Sequence, residues 1–284
     1  MAEPPPLGLD TVRRALAEDR AREDVTTALL GASVDASATG RFIAEGECVV
    51  AGLPIAALVF AELERAARLA PCVAEGARAA PGAVLATVTG SARTLLAGER
   101  VALNFLQRLT GIATATRRIV DAVAGTPARI THTRKTTPGL RDLERYAVRV
   151  GGGVDNRGSL AEAVMWKDNH WILSASGEGG AGSGLKQVLA RAPKGMAIVV
   201  EVETDAQLEE ALAAGVAHIL ADNQSPATLA AWVRRAGPHV TIEASGGITV
   251  ENAAAYARAG AQLISVGALT HSVAAASIRF ELER

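Results

Sequence analysis

The sequence predicts an α/β protein whose larger part consists of repeated β-α units on a parallel sheet or barrel, preceded by a separate α/β domain. From about residue 128 onward, short runs rich in Val, Ile and Leu alternate with helical patterns, and this alternation is typical of parallel β-α folds. The segment before residue 110 instead combines an opening helical pattern with β-rich stretches. At 284 residues and 49% hydrophobic content, the chain is long enough to bury a large core.

The first region begins with an apolar helical pattern at Leu9, Val12 and Leu16. Stretches rich in strand-forming residues follow at Arg41 to Ala51 and at Gly82 to Thr89. We therefore expect this region to form an α/β domain of its own.

The second region contains a series of candidate strands, each of them a short apolar run. They are Ala128 to Thr133, Ala163 to Trp166, Ala197 to Val202, His218 to Ala221, Val240 to Ala244 and Leu263 to Val266. Amphipathic helices are predicted between the later strands, from Thr204 to Gly215, from Ser225 to Gly237 and from Thr249 to about Arg258. The clearest start signal is Ser225-Pro226, an N-cap residue followed by proline at the first helical position.

The stretch from Ala175 to Gly184 is rich in glycine and serine, so its composition predicts a flexible loop. Such a loop can be a lid over a site or an insertion without a role, and composition alone favours the insertion.

The charge balance excludes several classes of partner. Lys and Arg number 29 against 30 Asp and Glu, so no net field favours nucleic acid or an anionic membrane. Aromatic residues make up only 3% of the chain, which leaves few platforms for stacking single-stranded nucleic acid. We expect neither nucleic-acid nor membrane partners, and an anionic ligand must be held by locally placed charges.

The cysteines and the first residues predict the compartment. Cys48 and Cys72 fit neither a disulfide framework nor the spacing of metal ligands. The proline run from Pro4 to Pro6 does not resemble a secretory signal. We expect a reduced, cytoplasmic setting.

Polar residues follow each candidate strand directly. In a β/α barrel the active site is built at the carboxyl ends of the strands, so these residues are expected to gather at one face. In strand order they are Arg134 and Lys135; Lys167, Asp168 and Asn169; Glu203; Asp222 and Asn223; Ser245, Gly246 and Gly247; and Gly267.

The glycine turns after the last two strands predict a phosphate site. Glycine lets backbone N–H groups approach an anion closely, and the helix that starts near Thr249 turns its positive end towards it. Ser-Gly-Gly alone is equally typical of a simple tight turn. Its place after a late barrel strand favours the phosphate site.

The charged residues at the strand ends predict a pocket for an anionic ligand. A single Lys or Glu there would more often form an ordinary surface ion pair, but here they follow one strand after another. Arg and Lys suit a ligand with several carboxylate or phosphate groups. Carboxylates such as Glu203 and Asp222 suit Mg²⁺ held with a pyrophosphate, or the stabilisation of positive charge that develops on a sugar carbon.

Several of these residues lie in motifs that resemble the quinolinate phosphoribosyltransferases, also called nicotinate-nucleotide pyrophosphorylases. The most specific are Arg134-Lys135-Thr136-Thr137-Pro138-Gly139-Leu140-Arg141, Gly151-Gly152-Gly153 and Lys167-Asp168-Asn169-His170. Further matches extend over nearly the whole chain, among them Glu23-Asp24-Val25-Thr26-Thr27, Glu99-Arg100-Val101-Ala102-Leu103-Asn104 and Val266-Gly267-Ala268-Leu269-Thr270-His271-Ser272.

The resemblance implies an architecture. The expected parts are an N-terminal α/β sandwich domain at residues 1–112, an incomplete β/α (TIM-like) barrel at 113–272, and a C-terminal segment at 273–284 that returns to the N-terminal domain. It also implies a homodimer or an assembly of dimers.

The resemblance implies a reaction as well: transfer of the phosphoribosyl group of phosphoribosyl pyrophosphate to quinolinate with loss of CO₂, for which Mg²⁺ is required. Arg134, Arg157 and Lys167 would bind the pyridine carboxylates, with Arg100 reaching the site from the partner subunit. Lys135, Glu203 and Asp222 would be catalytic, and Glu203 and Asp222 would also hold the metal. The 5′-phosphate would lie against Ser245, Gly246, Gly247, Gly267 and His271.

The chain departs from the family pattern at the pyridine end. The family usually has Asn-His-Arg where this chain has Asp155-Asn156-Arg157, so Asn156 takes the place of the expected substrate-binding histidine. A neutral amide replaces an imidazole that can carry charge, and Asp155 adds a negative charge, so the pull on a second carboxylate should weaken. His132 stands where the family generally has Asp.

Three interpretations remain open. The chain is a quinolinate enzyme with a drifted residue, a paralogue that uses a different pyridine or aromatic acid, or a non-catalytic phosphate-binding barrel. The phosphate-end residues do not separate the first two, because both need phosphoribosyl pyrophosphate. The presence of Lys135, Lys167, Glu203 and Asp222 speaks against the third, and we favour the first.

Overall fold

The structure, a computed structural model, describes residues 7–175 and 184–283. The chain divides into two compact units. The N-terminal unit comprises Met1–Arg117, Thr136–Gly152 and Ala268–Arg284, and the barrel unit comprises Arg118–Lys135 and Gly153–Gly267. The predicted domain boundaries at residues 112 and 272 stay a prediction.

Helices and strands alternate along most of the chain. Up to residue 122 they are α1 (Leu9–Glu18), α2 (Val25–Ala28), β1 (Ser37–Ala44), β2 (Cys48–Val49), α3 (Leu53–Leu63), β3 (Arg68–Pro71), β4 (Arg78–Ala79), β5 (Val84–Ser91) and α4 (Ala92–Ala122). The later elements are β6 (Arg129–Thr131), α5 (Arg141–Val150), β7 (Ala163–Trp166), α6 (Asp168–Ala175), α7 (Gly184–Leu189), β8 (Ala197–Val202), α8 (Asp205–Ala213), β9 (His218–Asp222), α9 (Pro226–Ala236), β10 (Thr241–Ser245), α10 (Val250–Arg258), β11 (Leu263–Ser265), α11 (Ala268–His271) and β12 (Ile278–Leu282). Short 3₁₀ helices occur at Ala21–Glu23 and Gly31–Asp35.

The N-terminal unit is built on an antiparallel sheet in the order β12-β1-β5-β3. The C-terminal strand β12 lies beside β1, with Phe280 opposite Phe42. Their rings are 4.9 Å apart, and Phe42 also packs on Phe60 of α3 at 6.1 Å. Phe42 and Phe60 are fully buried, so this aromatic cluster ties the end of the chain and α3 to the same sheet.

The barrel unit is a six-stranded parallel sheet in the order β6-β11-β10-β9-β8-β7. Within the described residues the edge strands β6 and β7 do not pair with each other, so the barrel is incomplete. This confirms the predicted fold class.

The elements predicted after residue 128 are present, with small shifts at their ends. Thr204 and Gln207 form a capping box at the start of α8, and the Ser225 hydroxyl accepts a hydrogen bond from the Thr228 N–H at the start of α9, so both helices begin at the predicted caps. The glycine-rich stretch predicted as a loop lies outside the described residues, apart from its two end residues. No helix in the described ranges is both long and apolar enough to cross a membrane.

A buried carboxylate organises the interior of the barrel unit. Glu243 of β10 is 1% exposed. His218, at the start of β9, places its Nε2 atom 2.7 Å from one carboxylate oxygen of Glu243, and the Ser265 hydroxyl donates to the other. Both oxygens are thus paired, as a buried charge requires, and Ser265 is held at the end of β11.

Candidate active site

A pocket of about 480 Å³ opens in the barrel unit, which is within the size range of small-molecule sites. Asp222, Ser245 and Ser265 line it and are the last residues of β9, β10 and β11, so the pocket lies at the carboxyl ends of the strands, as expected. The lining residues are Thr133, Arg134, Lys135, Asn156, Arg157, Met165, Lys167, Asp168, Glu201, Leu220, Asp222, Ser245 and Ser265.

The positive charge of the pocket comes from Arg134, Lys135, Arg157 and Lys167. Arg157 is fixed by hydrogen bonds from Nη1 to the Ala163 carbonyl and from Nη2 to the Met165 Sδ atom, both at 3.2 Å. Burial lowers the pKa of the Arg157 guanidinium, and the charge of Arg134 lowers it further, while Glu201 raises it. Arginine stays protonated all the same, so these neighbouring cations favour an anionic ligand.

The negative side of the pocket contains Glu201, which is not among the site residues predicted from the sequence. Glu201 is 8% exposed, and one of its carboxylate oxygens lies 2.5 Å from the Lys167 Nζ atom. The Trp171 Nε1 atom donates to the Glu201 carbonyl at 2.9 Å, which holds the end of β8. A sequence signal existed, because a glutamate inside the apolar run Ala197–Val202 needs a buried partner.

Glu203, the carboxylate predicted from the sequence, lies past the end of β8. It is exposed, and its backbone N–H donates to the Gln207 Oε1 atom at 2.8 Å, so it belongs to the capping turn of α8. It is not among the described residues that line the pocket. The structure therefore places Glu201, rather than Glu203, beside Lys167 and in the same pocket as Asp222.

Two residues that directly follow the pocket-lining Asp222 and Ser245 have a left-handed backbone conformation. Asn223 has φ 53° and Gly246 has φ 90°. The Asn223 N–H donates to the Ser245 carbonyl at 2.9 Å, and its side-chain amide donates to the Asp222 Oδ2 atom at 2.7 Å. A Cβ atom on Gly246 would lie 2.9 Å from the Asn223 backbone nitrogen, so only glycine fits this close approach.

We expect Gly246→Ala to lower the free energy of unfolding by about 2 kcal/mol or more, since it adds a backbone clash to the strain of a positive φ. Gly215→Ala is the matched control. Gly215 has φ 77° but open space around the position of a Cβ atom, so its loss should be limited to about 1 kcal/mol. Urea unfolding of both variants measures the difference, and equal losses would show that the contact with Asn223 has no energetic consequence.

Four further residues predicted for the site are not among the described residues that line the pocket. Gly247 also has a positive φ of 61°, and Gly267 is half-buried after β11. Arg100 and His271 are exposed and belong to the N-terminal unit. Their roles stay a prediction.

Comparison with known proteins relates this chain to a family. The family model described as "Quinolinate phosphoribosyl transferase, C-terminal domain" matches residues 112–281, and the model of the N-terminal domain matches residues 24–110. A probable nicotinate-nucleotide pyrophosphorylase (carboxylating) of Synechocystis sp. is 43% identical over 256 residues, 89% of this chain and 85% of that protein. The nicotinate-nucleotide pyrophosphorylase (carboxylating) of Mycobacterium leprae is 43% identical over 281 residues, 96% of each chain.

Solved structures also match this chain over nearly its whole length. The crystal structure of NadC from Streptococcus pyogenes has a TM-score of 0.91 and 35% identity, and the match covers 100% of this chain and 99% of that one. The structure of nicotinate-nucleotide pyrophosphorylase from Ehrlichia chaffeensis has a TM-score of 0.88 and 33% identity, with 96% of this chain and 98% of that chain covered.

Proposed function

The chain belongs to the quinolinate phosphoribosyltransferase family, and on this basis we propose that it transfers the phosphoribosyl group of phosphoribosyl pyrophosphate to quinolinate. The products are nicotinate mononucleotide, pyrophosphate and CO₂, in the biosynthesis of NAD. The observation that carries the proposal is the pocket itself, in which four cationic side chains face Glu201 and Asp222 at the carboxyl ends of the barrel strands.

The cationic side of the pocket suits the two carboxylates of quinolinate. Arg134, Arg157 and Lys167 would bind them, since guanidinium and ammonium groups form charge-assisted hydrogen bonds with carboxylates. Lys135 would bind the phosphoribosyl donor. Both reactants are anions that repel each other, so bringing them together is a large part of the catalytic task.

The carboxylates of the pocket suit the transfer step. The bond from the ribose carbon to pyrophosphate breaks, the sugar acquires oxocarbenium character, and the ring nitrogen of quinolinate forms the new bond. Glu201 and Asp222 would stabilise the positive charge on the sugar. The pyrophosphate leaves with the electron pair and would be held by Lys135.

Decarboxylation then needs no protein nucleophile. When the bond to the adjacent carboxylate breaks, the electron pair stays on the ring carbon, where the positive charge of the neighbouring ribosylated nitrogen stabilises it. After CO₂ departs, that carbon takes up a proton from water. The protein holds the ring in place while the carboxylate, which departs as CO₂, separates from the cationic side chain that bound it.

A magnesium requirement is part of the proposal. Within the described residues, no group of three or more acidic, histidine or cysteine side chains could hold a metal by itself. Mg²⁺ is commonly bound by one or two carboxylates together with substrate phosphates, and Asp222 with Glu201 in the pocket fits that donor set, while Glu203 stays a candidate from the sequence. When bound, Mg²⁺ would neutralise the charge of the leaving pyrophosphate.

The turns after β10 and β11 would hold the 5′-phosphate. Ser245 lines the pocket, and Gly246 and Gly247 follow it with positive φ angles. Helix α10 starts at Val250, so its N-terminal N–H groups favour an anion. Gly267, in the turn after β11, would complete this site, and a phosphate-binding role for His271 stays a prediction from the sequence.

The function is tested with purified protein, phosphoribosyl pyrophosphate, Mg²⁺ and a panel of pyridine mono- and dicarboxylates, with pyrophosphate and CO₂ release followed separately. Release of both products with quinolinate supports the proposal. Pyrophosphate release with another acid and little turnover of quinolinate would identify a paralogue. No turnover with any acid would identify a non-catalytic barrel.

We propose that the protein is a homodimer, or an assembly of dimers, in which Arg100 completes the partner's pocket. Arg100→Ala and Lys167→Ala should each be inactive. After subunit exchange the mixture should recover about a quarter of wild-type activity, because half of the dimers are mixed and each has one intact site of two. Mixing Lys135→Ala with Lys167→Ala is the control, since no mixed dimer then has an intact site. Equal activity in both mixtures would contradict a shared site.

We also propose a cytoplasmic location. Cys48 is buried and Cys72 is exposed, and both are free thiols, which supports a reducing compartment.

A further inference from the structure

His132, Asp155 and Asn156 are the residue types of the family pattern described above in a different order, and of these Asn156 lines the pocket. The resemblance implies Asp, Asn and His at positions 132, 155 and 156, whereas this chain has His132, Asp155 and Asn156. An imidazole, a carboxylate and an amide are therefore all retained. The imidazole is at position 132, directly after β6, instead of at position 156 in the segment between α5 and β7.

The three side chains lie together in the barrel unit although residue 132 is far from the other two in sequence. His132 is fully buried, and its Nε2 atom lies 3.3 Å from the Asp155 Oδ1 atom and 3.1 Å from the Asn156 backbone nitrogen. The Asn156 side-chain amide donates to the His132 carbonyl at 3.3 Å. The imidazole thus packs behind the loop that contains Asn156.

Either protonation form of His132 holds this loop. The Nδ1 atom lies 3.3 Å from the Thr133 carbonyl, which can only accept, so Nδ1 carries a hydrogen. In the neutral ring Nε2 then accepts from the Asn156 N–H, and in the protonated ring it donates to the Asp155 carboxylate. Both partners are in the same short segment.

The segment continues directly into the cationic wall of the pocket. The Asn156 Oδ1 atom accepts from the Arg157 N–H at 2.7 Å, and Asn156 and Arg157 both line the pocket. The contacts of His132 therefore set the position of the backbone from which the Arg157 guanidinium projects.

We propose that His132, with Asp155 as its partner, is a positioning residue that holds Asn156 and Arg157 against the acceptor, so that the rearranged trio retains the recognition of a pyridine dicarboxylate. The inference rests on the proposed function for the identity of the acceptor. The coupling between positions 132, 155 and 156 does not depend on which acid is the acceptor.

The test exchanges the residues back. His132→Asp places a carboxylate next to Asp155, and we expect the Michaelis constant for quinolinate to rise by about thirtyfold while that for phosphoribosyl pyrophosphate changes by less than about threefold. Asp155→Asn with Asn156→His should be impaired to a similar degree, because two imidazoles then compete for the same space. The triple variant His132→Asp, Asp155→Asn, Asn156→His should return to within about threefold of wild type.

A second measurement needs no substrate. In hydrogen exchange, the Asn156 N–H should lose protection in His132→Asp and regain it in the triple variant. If His132→Asp does not fold, Asp155→Asn alone provides the test. The Asp155 side chain is 41% exposed, so this variant should fold. It should raise the Michaelis constant for quinolinate by about threefold or more.

The outcomes separate the two proposals. If the wild type turns over quinolinate but the triple variant is as poor as the product of the separate effects, the positioning role is overturned and the function stands. Another outcome is that the wild type fails to use quinolinate while the triple variant regains the hydrogen-exchange protection of the Asn156 N–H. In that case the coupling between positions 132, 155 and 156 stands, and the proposed acceptor is wrong. Unchanged Michaelis constants and unchanged exchange in all variants would overturn the inference outright.

Discussion

Replacing Glu201 by glutamine is expected to lower kcat with quinolinate by about a hundred- to a thousandfold, the usual loss when one stabiliser of transition-state charge is removed. Glu201 is nearly buried in the pocket and pairs with Lys167. The amide has almost the same size but no charge, so it neither stabilises an oxocarbenium-like ribose nor neutralises Lys167. Turnover of phosphoribosyl pyrophosphate and quinolinate measures the loss.

Glu203→Gln is the matched control, because it makes the same change two residues further along the chain. Glu203 is exposed in the capping turn of α8, so we expect its kcat to stay within about threefold of wild type, the range of exposed polar contacts. Urea unfolding of both variants shows whether they are folded. If Glu203→Gln loses most activity and Glu201→Gln retains it, Glu203 is the catalytic carboxylate that the sequence predicted.

Replacing Arg108 by alanine is expected to lower the free energy of unfolding by about 3 to 5 kcal/mol, the cost of leaving a buried charge unpaired. Glu144 is fully buried. Arg108 donates from Nη2 and Nε to its Oε1 atom, at 2.7 and 3.1 Å. Thr137 donates to the same carboxylate from its N–H and its hydroxyl. Arg108 also donates to the carbonyl of Val273 at 3.2 Å, so its loss frees several parts of the N-terminal unit.

Two comparisons sharpen this prediction. Arg93 pairs with Asp35 at 2.9 Å, but both side chains are largely exposed, so Arg93→Ala should cost at most about 1 kcal/mol. Adding Glu144→Gln to Arg108→Ala should restore part of the lost stability, because the amide removes the unpaired charge. Urea unfolding reports all of these values. A double variant less stable than Arg108→Ala alone would mean that the buried charge is not the cause of the loss.

The repeating part of the fold was predictable from local patterns. Each strand after residue 128 is an apolar run, and Thr204 and Ser225 cap the helices that follow two of them. These signals need only neighbouring residues, because strand and helix periodicity and capping are local properties. The motifs around Lys135 and Lys167 also identified the family without any structure.

The long helix α4, of 31 residues, was not predicted. Gly98 and Gly111 weaken its helical propensity. Glycine is needed at both positions because other parts of the N-terminal unit pack closely against them. A Cβ atom on Gly98 would lie 2.8 Å from the Phe60 ring, and one on Gly111 would lie 3.2 Å from the Ala275 Cα atom. Close packing that involves distant residues leaves no local signal.

The sequence by itself determined the parallel β-α architecture from apolar patterns and the family from its motifs. It also predicted most of the residues that line the pocket, because polar residues directly after the strands of such a fold gather at one face, while Asn156 and Arg157 were predicted from a motif. Only the tertiary structure decided that Glu201 rather than Glu203 faces Lys167, since the chain leaves the strand at Val202 and turns into a helix cap. It also decided that His132 lies behind Asn156. A contact between residues 24 positions apart exists only once β6 and the loop after α5 have packed, and no periodicity in the sequence records it.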